Sequence, residues 1–243
     1  MTPVRSPARL VLADGRVFEG EGFGAPGAAT GEVVFNTSMT GYQEALTDPS
    51  YRGQILVMTY PLQGNYGTND FTNESREVQV RGFVVRELTD LPSHWRSERT
   101  LDDYLRAAAV TGIAEIDTRA LVRRIREGGA QMGVLSTDPA QQDEAALVAR
   151  ARGDRGLEGR DLAAEVSCSD AYRWDEGRWQ GIAGQVPRPE RPTRCSCPTA
   201  RATRRPWPAC ASTCDGWRKR SRCSASAWVT RSCPSRSAAT RTS

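Results

Sequence analysis

Two short apolar runs within residues 31–70 constrain the fold of this chain more than any other feature. Residues 33–35 read Val-Val-Phe and residues 55–58 read Ile-Leu-Val-Met. Short runs rich in β-branched and aromatic residues are typical of buried strands. Small polar residues crowd the segments between and after the two runs. The stretch therefore combines two core strands with side chains that are suited to hydrogen bonding.

Turn and cap signals on either side of this stretch predict a hairpin and several helices. Asp14-Gly15 separates two apolar runs, as in a tight hairpin turn. Thr100 is placed as the N-cap of a helix that we expect Gly112 to end. Asp117 is placed as the N-cap of a second helix, which Gly128-Gly129 would end. We further expect a strand over residues 77–86, a strand over residues 131–135 and a third helix opened by Asp138-Pro139.

The order of these elements divides the chain into three parts. Residues 1–155 mix strands with helices and predict a single α+β domain. Residues 156–192 carry a weaker pattern, which indicates a linker with a small aromatic hairpin over residues 172–179 and a proline-rich connector. Residues 193–243 differ in composition from everything before them, and we expect a largely disordered tail there.

Two features of the first part suggest anion binding, and each has a plainer interpretation. Residues 24–31 are rich in glycine but lack the Gly-Lys-Ser/Thr ending of a phosphate loop, so they also fit a flexible connection. Arg123, Arg124 and Arg126 also fit the solvated face of a helix. His94, the single histidine, is interpreted as a solvated loop residue.

Charge and cysteine are unevenly distributed along the chain. Residues 1–192 hold 22 Arg, no Lys and 28 Asp and Glu, whereas residues 193–243 hold ten Arg, Lys219 and a single acidic residue, Asp215. Six of the seven cysteines also lie after residue 192, which leaves Cys168 alone in the first part. One cysteine in so long a stretch fits a reducing compartment. With no signal-peptide pattern and no long apolar run, we expect a cytoplasmic protein that does not contact a membrane.

Several motifs resemble one known family in their order along the chain. The segments VVFNTSMTGYQE (residues 33–44), LTDPSY (46–51) and GNYGTND (64–70) are similar to the small chain of glutamine-hydrolysing carbamoyl-phosphate synthase. IDTR (116–119), GGAQ (128–131) and GRDL (159–162) resemble the same family further on. The resemblance runs from about residue 9 to residue 183.

The resemblance implies a two-domain subunit whose second domain is a class I glutamine amidotransferase. In that family a Cys nucleophile with a His/Glu pair hydrolyses glutamine, and the ammonia passes to a large chain that uses ATP and Mg²⁺ to make carbamoyl phosphate from bicarbonate. Arginine and pyrimidine biosynthesis use the product. The expected partners are thus the large chain and glutamine, with no cofactor or metal in this chain.

One site residue of the family falls within the matching part. Ser50, in Leu-Thr-Asp-Pro-Ser-Tyr, resembles the serine that the first domain offers to bound glutamine. A hydroxyl suits that role because it can accept from an ammonium group or donate to a carboxylate. The alternative is that Ser50 only closes an Asp-Pro turn.

The tail departs from the family pattern. It contains neither the glycine-framed nucleophile Cys nor any His, so we predict no catalytic residue in this chain. Reading residues 194–205 and 224–233 in a shifted frame gives strings similar to the oxyanion strand and nucleophile elbow of class I amidotransferases. We therefore predict that the amidotransferase domain is truncated and out of frame. A zinc site in the tail cysteines and specific nucleic-acid binding by its charge are not expected, because frame-shifted GC-rich codons yield Cys and Arg by default.

Two functions remain on the sequence alone. The first is the glutaminase subunit of carbamoyl-phosphate synthase, with its own glutaminase activity lost. The second is a non-catalytic remnant that only docks on the large chain.

Overall fold

Two apolar runs near the centre of the sequence become neighbouring strands of a closed β-barrel. The computed structural model of the protein describes residues 5–141 and 143–170. Seven strands close the barrel in the order β1-β2-β8-β6-β4-β3-β9, and β5 pairs with β7 outside it. The strands are β1 (Pro7–Leu12), β2 (Val17–Gly24), β3 (Ala28–Asn36), β4 (Gln54–Met58), β5 (Leu62–Gln63), β6 (Gly82–Val84), β7 (Glu87–Leu88), β8 (Thr111–Ala114) and β9 (Gln131–Ser136).

Helices and short 3₁₀ turns connect these strands. Strands β3, β4, β6 and β8 run parallel to one another, whereas β1, β2 and β9 pair antiparallel with each of their neighbours. The mixture of strand directions and helices confirms the α+β prediction. The α-helices are α1 (Tyr42–Thr47), α2 (Leu101–Ala107), α3 (Thr118–Gly128), α4 (Glu144–Gly153) and α5 (Leu162–Val166), and 3₁₀ turns cover Pro49–Tyr51 and Pro139–Gln141.

The interior of the barrel is an apolar core to which every barrel strand contributes. Strand β4 shows the division, because Ile55 and Val57 face this interior while Leu56 and Met58 face outward. Helix α3 closes the core with Leu121 and Ile125. The other fully buried side chains of the interior are Leu10, Leu12, Val33, Val84, Ile113 and Leu135.

Two further cores lie outside the barrel, and they explain where the other helices pack. Helices α1 and α2 cover the outward side chains of β4 and β6 through residues such as Tyr42, Leu46 and Leu105. Helix α4 covers β1 and β9 through Leu147 and Ala151. Strand β4 is therefore buried on both faces, which is why its sequence reads as a continuous apolar run.

The hairpin and two helix caps are confirmed. Asp14 accepts a hydrogen bond from the backbone of Arg16, and Gly15 takes a φ of 93° in the turn. Thr100 accepts from the backbone N–H of Asp103 at the start of α2, and Asp117 accepts from that of Ala120 at the start of α3.

Gly112 does not end α2, contrary to the prediction. The helix ends at Ala107, and Gly112 lies inside β8. A Cβ atom at Gly112 would lie 2.5 Å from the ring of Phe23 on the neighbouring strand. The glycine is therefore required for close strand packing rather than for a helix end.

Three other boundaries differ from the sequence prediction. The glycine-rich connection is short because β3 begins at Ala28, and the strand expected over residues 77–86 is reduced to β6. Before β6, the backbone of Gln79 bonds instead to Leu46 of α1. Asp138-Pro139 opens only a 3₁₀ turn, and α4 starts after its own cap, Asp143.

Helix α5 was not predicted, because five residues are too few to show a helical period. The predicted hairpin over residues 172–179, the connector and the tail lie outside the described residues. Within the described part of the chain, no helix is long and apolar enough to cross a membrane.

Candidate functional site

Ser50 lies on a rigid turn between α1 and β4. The carboxylate of Asp48 accepts a hydrogen bond of 2.8 Å from the backbone N–H of Ser50, and the carbonyl of Asp48 accepts from Tyr51. The side chain of Ser50 is exposed, and its hydroxyl makes no hydrogen bond to any described residue. The turn is thus held through the backbone, which leaves the hydroxyl available to a ligand.

The residues that follow Ser50 fix the turn to the barrel. The ring of Tyr51 packs on the core beside α1, and its hydroxyl accepts from the side-chain amide of Asn36 at 3.0 Å. A ligand that meets Ser50 would therefore meet a side chain whose backbone is already fixed, which lowers the entropy cost of recognition.

Arg52 links this turn to the beginning of the predicted linker. Its guanidinium lies 2.9 Å from Glu77 and 3.4 Å from Glu165 of α5. Arg160 also pairs with Glu165, and the two guanidiniums together lower the pKa of that carboxyl, with Arg160 having the larger effect. The described start of the linker therefore contacts the barrel beside Ser50.

A buried polar network occupies the segment after β5. Gln43 of α1, which is 1% exposed, accepts from the backbone of Asn69 and donates to Asn73 at 2.7 Å. Thr72 donates to Gln43, and the hydroxyl of Tyr104 donates to Asn73 at 2.7 Å. These polar side chains are satisfied inside the protein, so they hold the loop on α1 rather than face a partner.

Two tyrosines fix the start of α1 in a similar way. The rings of Tyr42 and Tyr66 are stacked with centroids 4.1 Å apart. The hydroxyl of Tyr66 accepts from the backbone N–H groups of Gly41 and Tyr42, and the hydroxyl of Tyr42 donates to Gly67 at 2.6 Å. Burial raises the pKa of both phenols above the ordinary value.

The exposed large apolar side chains lie in other connections than the turn that carries Ser50. In the part of the chain that the structure describes, six large apolar side chains are exposed, and each lies in a connection that follows the carboxyl end of β3, β4 or β6. Met39, Leu91 and Trp95 are the most exposed, at 71%, 84% and 79%. We call this set the apolar rim: Met39, Tyr60, Leu62, Phe71, Leu91 and Trp95.

The single histidine has no catalytic surroundings. His94 lies between β7 and α2 and stacks on Trp95 of the apolar rim. Its Nδ1 atom accepts a hydrogen bond from the backbone of Arg96. The thiol of Cys168 is half-buried and makes no disulfide within the part of the chain that the structure describes. The other six cysteines lie outside the described residues, so the predicted frame shift and the alternative zinc site have no structural counterpart here.

Comparison with known proteins identifies the family. A family model for the carbamoyl-phosphate synthase small chain, CPSase domain, matches residues 10–135. This chain belongs to the carbamoyl-phosphate synthase small-chain family. The matched residues run from β1 to β9, so the barrel is the part of the structure that the family model covers.

Curated relatives in the same family are just over half identical to this chain over about three quarters of its length. The carbamoyl phosphate synthase small chain of Syntrophotalea carbinolica is 57% identical over 71% of this chain and 45% of its own length. Those of Rhodopirellula baltica and Aquifex aeolicus are 54% and 51% identical over 72% and 74% of this chain, and 44% and 48% of their own.

The chain spans just under half the length of these relatives. Among solved structures, an aminopeptidase from Aneurinibacillus sp. strain AM-1 aligns with 55% of this chain and 31% of its own at 19% identity. Its TM-score of 0.33 is too low to carry an argument.

The sequence analysis singled out Ser50 but not the charged residues that link its turn to α5. Arg52 and Glu165 are 113 positions apart, and no local pattern connects them. The apolar rim was missed because its members are single residues spread along the connections that follow β3, β4 and β6. A scan for apolar residues in otherwise polar connections would have found most of them.

Proposed function

We propose that this chain is the synthetase-facing part of a carbamoyl-phosphate synthase small chain. It docks on the large chain and offers Ser50 to glutamine held by an amidotransferase domain. The complete enzyme of this family makes carbamoyl phosphate from glutamine, bicarbonate and ATP, for arginine and pyrimidine biosynthesis, with ATP and Mg²⁺ bound by the large chain. The family match over the complete barrel is the observation that carries this proposal.

Ser50 supports the glutamine-binding role through its geometry. Its hydroxyl is exposed and unpaired among the described residues, while its backbone N–H is already bonded to Asp48. A hydroxyl in this state can donate to the carboxylate of glutamine or accept from its ammonium group. Closing the Asp-Pro turn uses only the backbone of this residue, so the two interpretations of Ser50 are compatible.

The apolar rim is the surface that we assign to the large chain. Trp, Tyr, Met and Phe are the residues enriched in protein interfaces, and all four types are present in the rim. The same loops are anchored through their backbone, since Tyr66 accepts from Gly41 and Gln43 accepts from Asn69. The rim is therefore an apolar surface carried on loops that are anchored to the barrel.

We further propose that this polypeptide does not hydrolyse glutamine. Thiolate attack on an amide needs a base to move the proton, and the family uses His for that step. The single His of the sequence is exposed on a loop among aromatic and arginine side chains. A chain that docks without hydrolysing glutamine corresponds to the non-catalytic remnant, and the following experiment separates it from an active subunit.

The test uses the full chain mixed with the large chain that is encoded with it. We expect the two to co-elute, no ammonia to be released from glutamine, and carbamoyl phosphate to form with ammonium chloride but not with glutamine. A full-length small chain, such as that of Syntrophotalea carbinolica with its own large chain, is the positive control. Glutamine-dependent ammonia release by this purified chain would refute the inactive assignment, and failure to co-elute would refute docking.

A further inference from the structure

Beyond the proposed function, a cavity at the end of the barrel where the parallel strands begin contains unpaired polar and charged groups. The cavity has a volume of about 730 Å³, and the loop before β3, the first residues of β3 and β8, and the last turn of α4 line it. A volume in this range fits a small metabolite rather than a single ion. We propose that this cavity binds the phosphate group of a small phosphorylated metabolite.

Two arginines supply the positive charge. Arg81, whose backbone is fixed to Gln54 of β4, precedes β6, and Arg150 lies in the last turn of α4. Both line the cavity, and neither guanidinium makes an ion pair or hydrogen bond to any described residue. By contrast, Arg152 in the same turn is bonded to the carbonyl of Ala13 at 2.8 Å. Two guanidinium groups can each bind a phosphate through paired N–H donors.

One threonine hydroxyl gives an independent indication of a ligand. Thr30 of β3 lines the cavity, and its hydroxyl is buried without a hydrogen-bond partner in residues 5–141 and 143–170. Because buried hydroxyl groups in folded proteins are almost always bonded, this oxygen is expected to meet a polar group at the cavity. Thr111 also lines the cavity, and its hydroxyl is available as a further donor.

The backbone of β3 adds further donors. Ala28 to Gly31 pair with β9 on one side, but the ladder with β4 begins only at Glu32. The outward backbone groups of the first residues of β3 therefore have no strand opposite them. Donors from two arginines, two threonines and an unpaired strand outnumber the two oxygens of a carboxylate and suit the three or four oxygens of a phosphate group.

One acidic residue also lines the cavity. The carboxylate of Asp154 accepts a hydrogen bond of 2.8 Å from the backbone N–H of Gly156, which turns that oxygen toward its own loop. The formal charge of the cavity is still positive, with two arginines against one aspartate. Removing the charge of Asp154 should strengthen phosphate binding.

The test is calorimetric titration of the full chain with ribose 5-phosphate, inorganic phosphate and ribose at low salt. We expect the phosphate ester to bind and ribose not to bind. The R81Q/R150Q double variant should weaken the ester by about tenfold or more, since two charge-assisted contacts are lost. D154N should tighten it by about threefold, which reflects one exposed repulsive charge.

The matched control is R119Q/R126Q, which removes two exposed arginines of α3 that also lack ion pairs. It leaves the cavity intact, and the tail arginines are the same in every variant. Equal weakening by both double variants would mean that binding follows overall charge and would overturn the proposal. No binding of the ester at millimolar concentration would overturn it too. Stronger binding of inorganic phosphate than of the ester would assign the site to the free ion.

Discussion

The two ends of the barrel expose different kinds of side chain. After the carboxyl ends of β3, β4 and β6, the loops use polar groups such as Gln43 and Tyr66 internally and expose Met39, Leu91 and Trp95. Before the amino ends of the parallel strands, Ser50, Arg81 and Arg150 are left without side-chain partners among the described residues. An exposed apolar surface suits a protein partner, whereas unpaired hydroxyl and guanidinium groups suit small polar ligands.

The largest effect is expected from removing the centre of the inward network. Gln43→Ala should destabilise the protein by about 3 kcal/mol, because it leaves the buried backbone N–H of Asn69 without its acceptor, removes the bond to Asn73 and opens a small cavity. Thermal unfolding should show a fall in Tm of roughly 10 °C. The matched control is Gln54→Ala, since Gln54 makes one longer side-chain bond to Glu32. Equal effects of the two changes would show that the rim loops are not held by this network.

Removing the hydroxyl of Tyr66, which holds the start of α1, should have the next largest effect. Tyr66→Phe leaves the backbone N–H groups of Gly41 and Tyr42 without an acceptor and should cost about 2 kcal/mol. Burial raises the pKa of Tyr66 in the folded state. Its contribution to stability is therefore complete below the unfolded pKa of about 10 and is lost as the pH rises above it.

Denaturant unfolding between pH 8 and pH 11 tests this pH dependence. Wild type should lose stability above pH 10, and the variant should lose less of it. Tyr60→Phe serves as the control, because Tyr60 belongs to the exposed rim. A wild-type curve that is flat up to pH 11 would contradict the assigned role of the buried phenols.

A charge placed on the apolar rim should change binding without changing stability. Met39→Asp should weaken binding to the large chain by about tenfold, because Met39 is 71% exposed and would be desolvated in the interface. Ala145→Asp, on an exposed position of α4, is the matched control and should leave binding unchanged. Surface plasmon resonance with immobilised large chain measures both, and equal affinities would remove the rim from the interface.

The smallest effect concerns the link between the Ser50 turn and α5. Arg160 and Arg52 lower the pKa of Glu165 in the folded state. The stabilisation from this carboxylate is therefore present above its unfolded pKa and is lost as the pH falls through the lower folded value. Glu165→Gln should slightly reduce the loss of stability between pH 5 and pH 3 in urea titrations, and Glu158→Gln should not. An unchanged acid limb in Glu165→Gln would show that the pair does not hold in solution.

The sequence was informative where local chemistry decides local structure. The Asp14-Gly15 turn, the Thr100 and Asp117 caps and the two central strands were all predicted, because each depends on residues close in the chain. The closure of the barrel was not predicted, since β1 pairs with β9 more than a hundred residues away. Gly112 was misassigned for the same reason, as its role depends on Phe23 of another strand.

The candidate sites divide in a similar way. Ser50 was found only through its resemblance to a family motif, because a serine after Asp-Pro is an ordinary turn residue. Arg81 and Arg150 belong to no local motif, and only the fold brings them to one cavity. Residues that belong to no sequence motif, such as Arg81 and Arg150, are thus recognised as a site only from the tertiary structure.

Hydrogen–deuterium exchange with and without the large chain tests the contrast between the two ends most directly. We predict slower exchange on binding in the loops of the apolar rim, over residues 37–41, 59–73 and 89–99. Residues 49–53 and the first residues of β3, β6 and β8 should exchange as they do in the free chain. Protection at the amino ends of the strands with none in the rim would contradict the assignment of the rim to the partner.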